Sequence, residues 1–280
     1  MKISTQKHGF TLIEVIISIT IISIMLVIAV DVIKSSNKIL KKSEKYLELT
    51  EEILLVKNQF NFDFEYLQRT PYLPFEIIKQ AGNDMFVFSI AKEGLYQEEA
   101  SPRPLSVVAY SINSDDSERT QGFNRAQRGF AFGVSQATPT PKGYPLPNIL
   151  ENKWIDEHPF DFDEWELISP RVLRLEISIL LNDGRIINSE TINIEDYPKI
   201  TLLMFSCVAV DNKLLKQSRA TLVEDLINYF PDSSDDSFPI KDWQTAKESL
   251  PDNVKYHLKI FYKALLISEN SETLLDTLNL

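Results

Sequence analysis

The feature that most limits this chain is a run of 21 residues near its start, Phe10 to Val30, interrupted by one charge, Glu14. At about 1.5 Å per residue a helix of this length is about 31 Å long, enough to cross a bilayer core of roughly 30 Å. In front of it stand nine residues, Met1 to Gly9, carrying Lys2, Lys7 and His8. The lysines are expected to hold the N-terminus in the cytoplasm, which puts everything after Asp31 across the membrane. A cleavable secretory signal has an apolar core of about 7 to 15 residues followed by a small-residue site. This run is longer, and no such site follows it. A carboxylate inside a membrane helix costs about 2.5–3.5 kcal/mol at the centre and less near the interface, so Glu14 calls for a partner.

The residues Gly9-Phe10-Thr11-Leu12-Ile13-Glu14, followed by the apolar run, resemble the prepilin motif of type IV pilin-like proteins. The resemblance implies a cut by a membrane-embedded prepilin peptidase between Gly9 and Phe10, N-methylation of Phe10, and an assembly role for Glu14. The chemistry is coherent. Gly9 lets an extended backbone enter a peptidase with no side chain in the way. Cleavage leaves a positive α-amino group in an apolar setting, where Glu14 of one subunit can pair with the Phe10 amine of a neighbour and offset its desolvation.

Residues 34–68 continue a helical pattern. Ile39, Tyr46, Leu47, Ile53, Leu54, Phe60, Phe64 and Leu67 recur at spacings near three and four, with Lys38, Lys41, Lys42, Glu44, Lys45, Glu48 and Glu51 between them. The stripe is expected to pack on a head domain, and Pro71 and Pro74 to end the helix. Strand patterns follow at Met85–Ile90, Leu105–Ile112 and Arg171–Leu181, the last with Arg174, Glu176 and Ser178 on a polar face. Asn182-Asp183-Gly184 reads as a hairpin turn into a return strand, Arg185–Ile194. Ile200–Val210, apolar on both faces, reads as a central strand, and Thr221–Phe230 as a short helix. Val254 to Tyr262 alternates with lysines and suits a last strand with one wet face. Residues 113–122, 135–170 and 231–239 read as loops. The organisation expected is α+β: a leader at 1–9, a transmembrane and assembly helix at 10–33, its soluble half at 34–70, and a β-rich head at 71–280 built on an antiparallel sheet with long loops and a C-terminal helix-plus-strand extension.

Within the head, LSVVAYSIN with FNRAQRGFAFG, ISPRVLRLEISILLNDGR, and PKITLLMFSCVAVD resemble stretches of J-type minor pseudopilins and W-type minor pilins. The resemblance spans about residues 60–215, and the tail from about residue 216 departs from the short J-type pattern. It implies a non-enzymatic, low-copy subunit of a type IV pilus or a type II secretion pseudopilus. Its partners would be the prepilin peptidase, other pilins or pseudopilins, and an inner-membrane assembly platform. The place would be the bacterial inner membrane, single-pass, with a periplasmic head, and the filament after assembly. The alternatives are a minor subunit of a DNA-uptake or adhesive pilus, and a signal-anchored periplasmic binding protein or enzyme.

Composition narrows the function classes. The formal net charge is -11, and loss of Lys2 and Lys7 on cleavage would take it to -13. Nucleic-acid binding needs lysines and arginines to neutralise phosphates, so no nucleic-acid partner is expected. Arg125 and Arg128, near Phe123, Phe130 and Phe132, are read as strand packing. The single cysteine, Cys207, allows no internal disulfide and sits in an apolar strand pattern as a core thiol. His158 and His257 are far apart and form no ligand motif. Acidic groups at Asp161, Asp163, Glu164 and Glu166, and at Asp232, Asp235 and Asp236, could hold calcium but lack the regular loop spacing, and are read as solvated. No catalytic residue, metal ligand or cofactor is assigned.

Overall fold

The computed structural model describes residues 11–68, 73, 75–80, 82–93, 102–113, 121–131, 160, 164–188, 198–216, 219–234 and 237–267. The chain divides after Glu48 into two units, Met1–Glu48 and Leu49–Leu280. One helix, α1 (Leu12–Glu65), begins in the first unit and ends in the second.

The second unit is built around the last turns of α1. Leu49, Ile53, Val56 and Phe60 are spaced four, three and four residues apart, which lines them along one side of a helix, and all are buried. This corrects the expected stripe in part: Ile53, Phe60, Phe64 and Leu67 pack on the core, Leu49 and Val56 join them, and Ile39, Tyr46, Leu47 and Leu54 are exposed. Pro71 and Pro74 lie outside the described residues; α1 ends at Glu65.

Two antiparallel sheets meet at this helix face. The first runs in chain order: β1 (Phe75–Gln80), β2 (Asn83–Ile90), β3 (Pro102–Asn113), β4 (Gly122–Ala131) and β5 (Trp165–Ser169). The second contains β6 (Val172–Leu181), β7 (Ile186–Ile187), β8 (Ile200–Val210) and β9 (Leu258–Leu266) in the order β7-β6-β8-β9. As expected, β8 is central and buried along its whole length. The Phe60 ring joins both sheets, with centroids 4.8 Å from Tyr110, 5.5 Å from Phe123 and 4.3 Å from Phe205. Edge-to-face geometry of this kind favours aromatic clusters beyond simple area burial.

Behind the second sheet lie α2 (Arg219–Tyr229) and α3 (Pro239–Ser249), followed by a single turn, α4 (Asp252–Lys255). Leu222, Val223, Leu226, Phe230 and Trp243 pack there on Leu173, Val208 and Val210. The polar face of β6, Arg174, Glu176 and Ser178, is fully buried. This layer overturns the wet face expected of the last strand. Both faces of β9 are engaged: Phe261 joins the core around α1, while Leu258 and Ile260 face the helical layer. Further differences are local. Residues 165–169, read as loop, form β5 because they pair with β4. The return strand is β7, only Ile186–Ile187, and residues 189–197 lie outside the described residues. The helix α3 was missed, although Pro239 at its start and Ile240, Trp243 and Ala246 at helical spacing mark it.

The edge of β6 that β7 leaves free is closed by side chains from the first sheet. Asn83 accepts from Leu175 N at 2.8 Å, and Asp84 accepts from Ile177 N at 2.7 Å. Lys79 Nζ donates to Asp84 at 2.6 Å and to the Ile177 carbonyl at 3.3 Å. These contacts stand where a neighbouring strand would otherwise pair, and so protect an edge.

The β1–β2 turn packs on α2. Gly82 has φ of +82°, and a Cβ there would lie 2.4–2.6 Å from three side-chain carbons of Ile227. Gly82→Ala is therefore expected to cost about 2–4 kcal/mol from left-handed strain plus overpacking. Urea denaturation would measure it, and a second change, Ile227→Ala, would relieve only the overpacking part.

Candidate functional site

Two places carry chemistry: the start of α1 and the polar groups buried in the head. In the first, Thr11 precedes the first helical residue and Glu14 stands three residues later. The Glu14 carboxylate accepts from Thr11 N at 2.8 Å and from Thr11 Oγ1 at 2.9 Å, and Glu14 N donates back to Thr11 Oγ1 at 3.4 Å. This reciprocal arrangement is a capping box, which satisfies backbone donors that the first helical turn leaves free. The T-x-x-E spacing that encodes it was legible, but Thr11 was given no role. Gly9 and Phe10 lie outside the described residues.

Beyond the box the helix hides its remaining polar groups from its own surface. Ser18, Thr20 and Ser23 each donate a hydroxyl to the carbonyl four residues earlier, at 2.7, 2.8 and 2.8 Å. What remains outward between the box and Asp31 is almost wholly Ile, Leu, Val and Met, exposed from Val15 to Val30. A helix whose polar groups are satisfied internally and whose surface is apolar suits a lipid environment. By length and composition this helix is able to cross a membrane.

In the head, two sets of buried polar groups form networks. Asp63, fully buried on α1, accepts from Arg125 Nε at 2.6 Å and Nη2 at 2.8 Å, from the Tyr110 hydroxyl, and from Gln59 Nε2 at 3.2 Å. Burial pulls the Arg125 guanidinium down, but the Asp63 carboxylate outweighs this and holds it above its ordinary value. Burial and the same carboxylate push the Tyr110 phenol well above its usual range. Arg128 binds Glu164 through Nε at 2.6 Å and lies 5.0 Å over the Phe160 ring. Both arginines are thus interior packing groups, as expected. Glu164 is not a solvated loop acid but the partner of Arg128.

A second network lies under α2 and α3. Arg174 donates to the Phe230 carbonyl at 3.0 Å and to Asp232 at 2.7 Å, and lies 4.8 Å over the Trp243 ring. Asp232 is exposed to solvent, as expected, and also pairs with the buried Arg174, whereas Asp235 and Asp236 lie outside the described residues. Glu176 accepts from Ser233 N at 2.7 Å, with Arg174 3.5 Å away. Burial outweighs both contacts and pushes its carboxyl up to about 7. A raised carboxyl adds stability that is complete below its unfolded value near 4.5 and is lost as pH rises through about 7. Glu176→Gln is expected to remove up to about 3 kcal/mol of pH dependence across that window, measured by urea denaturation at several pH values.

The remaining candidates are structural. Cys207 is buried, and burial pushes its thiol far above its ordinary value, which suppresses nucleophilicity. His257 Nδ1 pairs with Asp211, whose other oxygen accepts from Lys213 N at 2.8 Å and Leu214 N at 3.3 Å, organising a turn. His158, Asp161 and Asp163 lie outside the described residues.

Residues 4–30 match the family model described as the prokaryotic N-terminal methylation motif. This segment is thus of the prepilin type, and it leads into a long helix followed by antiparallel sheets. A solved type IV-like pilin from Thermus thermophilus is similar at 11% identity over 78% of this chain and 95% of that chain, with a TM-score of 0.37. No curated protein matches the chain.

Proposed function

We propose that this chain is a non-enzymatic minor pilin or pseudopilin. It is cut between Gly9 and Phe10 by prepilin peptidase, N-methylated at Phe10, and assembled into a type IV pilus or a type II secretion pseudopilus. The observation that carries the reading is the methylation motif at residues 4–30, continuous with a helix that is apolar outside and capped at its start by Thr11 and Glu14. Before assembly the helix anchors the precursor in the inner membrane with the head outside. On assembly it moves from lipid to a bundle of similar helices, an exchange between two apolar environments. Glu14 then trades its contact with Thr11 for the Phe10 amine of a neighbour, and so sets the register. The head, enlarged by the α2–α3 layer, gives lateral contacts or an exposed tip, which supports a low-copy place in initiation or at the tip.

The test is the N-terminal peptide of the membrane-extracted protein by mass spectrometry. A start at Phe10, heavier by one methyl group, is expected. An intact Met1 in the presence of active peptidase would make the segment an ordinary signal anchor and overturn the reading.

A further inference from the structure

Immediately after the apolar span the helix changes character. Lys34, Lys38 and Lys41 are exposed and stand at i, i+4 and i+7, which aligns them on one face. From Asp31 to Lys45 there are five lysines against two carboxylates, Asp31 and Glu44, although the whole chain carries -11. Like charges at i, i+4 repel within a helix; Asp31 and Glu44 stand three residues from Lys34 and Lys41, but Lys38 has only lysines and Ser35 at those spacings, so its charge calls for compensation from outside the helix.

Position decides what supplies it. Leu12 to Val30 covers about 28 Å of helix, close to a full hydrocarbon core, and the charged Asp31 ends it. Lys34 then stands about 6 Å past Val30, at the headgroup layer, and Lys38 and Lys41 about 12 and 16 Å past it, within roughly a Debye length of the headgroups. Lysine stems lie along apolar surface while their ammonium groups reach the phosphate level. Only Lys2 and Lys7 stand before the span. With the head outside, the lysine-rich side is thus the translocated one, against the usual bias, and its charge needs an anionic surface there.

We infer that Lys34, Lys38 and Lys41 form a binding stripe for anionic phospholipid headgroups of the leaflet facing the head domain. The inference rests on the membrane-anchored reading but not on cleavage. The stripe concentrates anionic lipid around the unassembled subunit and is released when the helix leaves the bilayer.

The test uses the full chain in nanodiscs of mixed phosphatidylcholine and phosphatidylglycerol, with the co-retained lipid counted by native mass spectrometry. The wild-type chain is expected to retain phosphatidylglycerol several-fold above its share of the mixture. The triple variant Lys34→Gln, Lys38→Gln, Lys41→Gln is expected to fall to that share, and the triple arginine variant to keep the enrichment. Equal lipid ratios for wild type and the glutamine variant would overturn the inference. Lysine-dependent pairing of chains in the discs without lipid enrichment would also overturn it, assigning the stripe to carboxylates of a neighbouring helix. The same spectra give the mass of the N-terminus. A Met1 start with enrichment intact would sink the cleavage reading and leave this one standing.

Discussion

Asp63→Ala is expected to destabilise the head by about 3–5 kcal/mol, the cost of stripping one partner from a buried ion pair. The carboxylate is fully buried and ties α1 to the first sheet through Arg125 on β4 and Tyr110 on β3. Its loss leaves the guanidinium buried with Gln127 Oε1, 2.9 Å from Nη2, as its other acceptor. The phenol keeps only a long contact, 3.4 Å, to the Gln59 carbonyl. Urea denaturation of the detergent-solubilised chain would measure the change. A loss under 1 kcal/mol would show that water or relaxation replaces the carboxylate. Asp63→Asn tests the charge separately: it keeps an acceptor for Tyr110 but not the ion pair, and is expected to fall between alanine and wild type.

The second large effect is on assembly. Glu14→Ala is expected to leave the cut at Gly9–Phe10 intact and to remove the chain from filaments. Two consequences act together. Removing the carboxylate makes the helix more comfortable in lipid, by up to about 3 kcal/mol on insertion scales. It also deletes the group proposed to pair with a neighbour's Phe10 amine, so the assembled state loses a contact while the membrane state gains. The helix start loses its capping contacts with Thr11 as well, a change of about 1 kcal/mol in the membrane state, which offsets only part of that gain. Fractionation of sheared filaments against membranes, with the N-terminal mass read in each, would check this. Normal incorporation of the alanine variant would sink the assembly role of Glu14. Glu14→Gln separates the effects, because it keeps hydrogen-bonding capacity at the helix start but cannot neutralise an amine.

Much of the organisation was legible in one dimension. The apolar run with one acid, the T-x-x-E spacing, the largely apolar strand at β8 and the helix at α2 are local signals, each contained in a short window. They determined the long apolar N-terminal helix, the prepilin-type segment and the α+β class, since the period and sign of a local pattern survive without tertiary context. Tertiary structure decided which faces are covered. The alternation along β6 set Arg174 and Glu176 apart from Leu175 and Ile177, which face the core around α1, yet the polar side lies under α2 and α3, and a register shift between Val172 and Arg174 puts Leu173 there too. Alternation shows that two faces differ; it does not show what a segment 50 residues later will lay over one of them. Asp63 is the same case in reverse. A lone acid in an amphipathic helix looks solvated until β3 and β4 bring Tyr110 and Arg125 to it across 47 and 62 residues. Pairing of charges over such separations depends on the chain's path and not on any local pattern, so only the folded molecule could assign them.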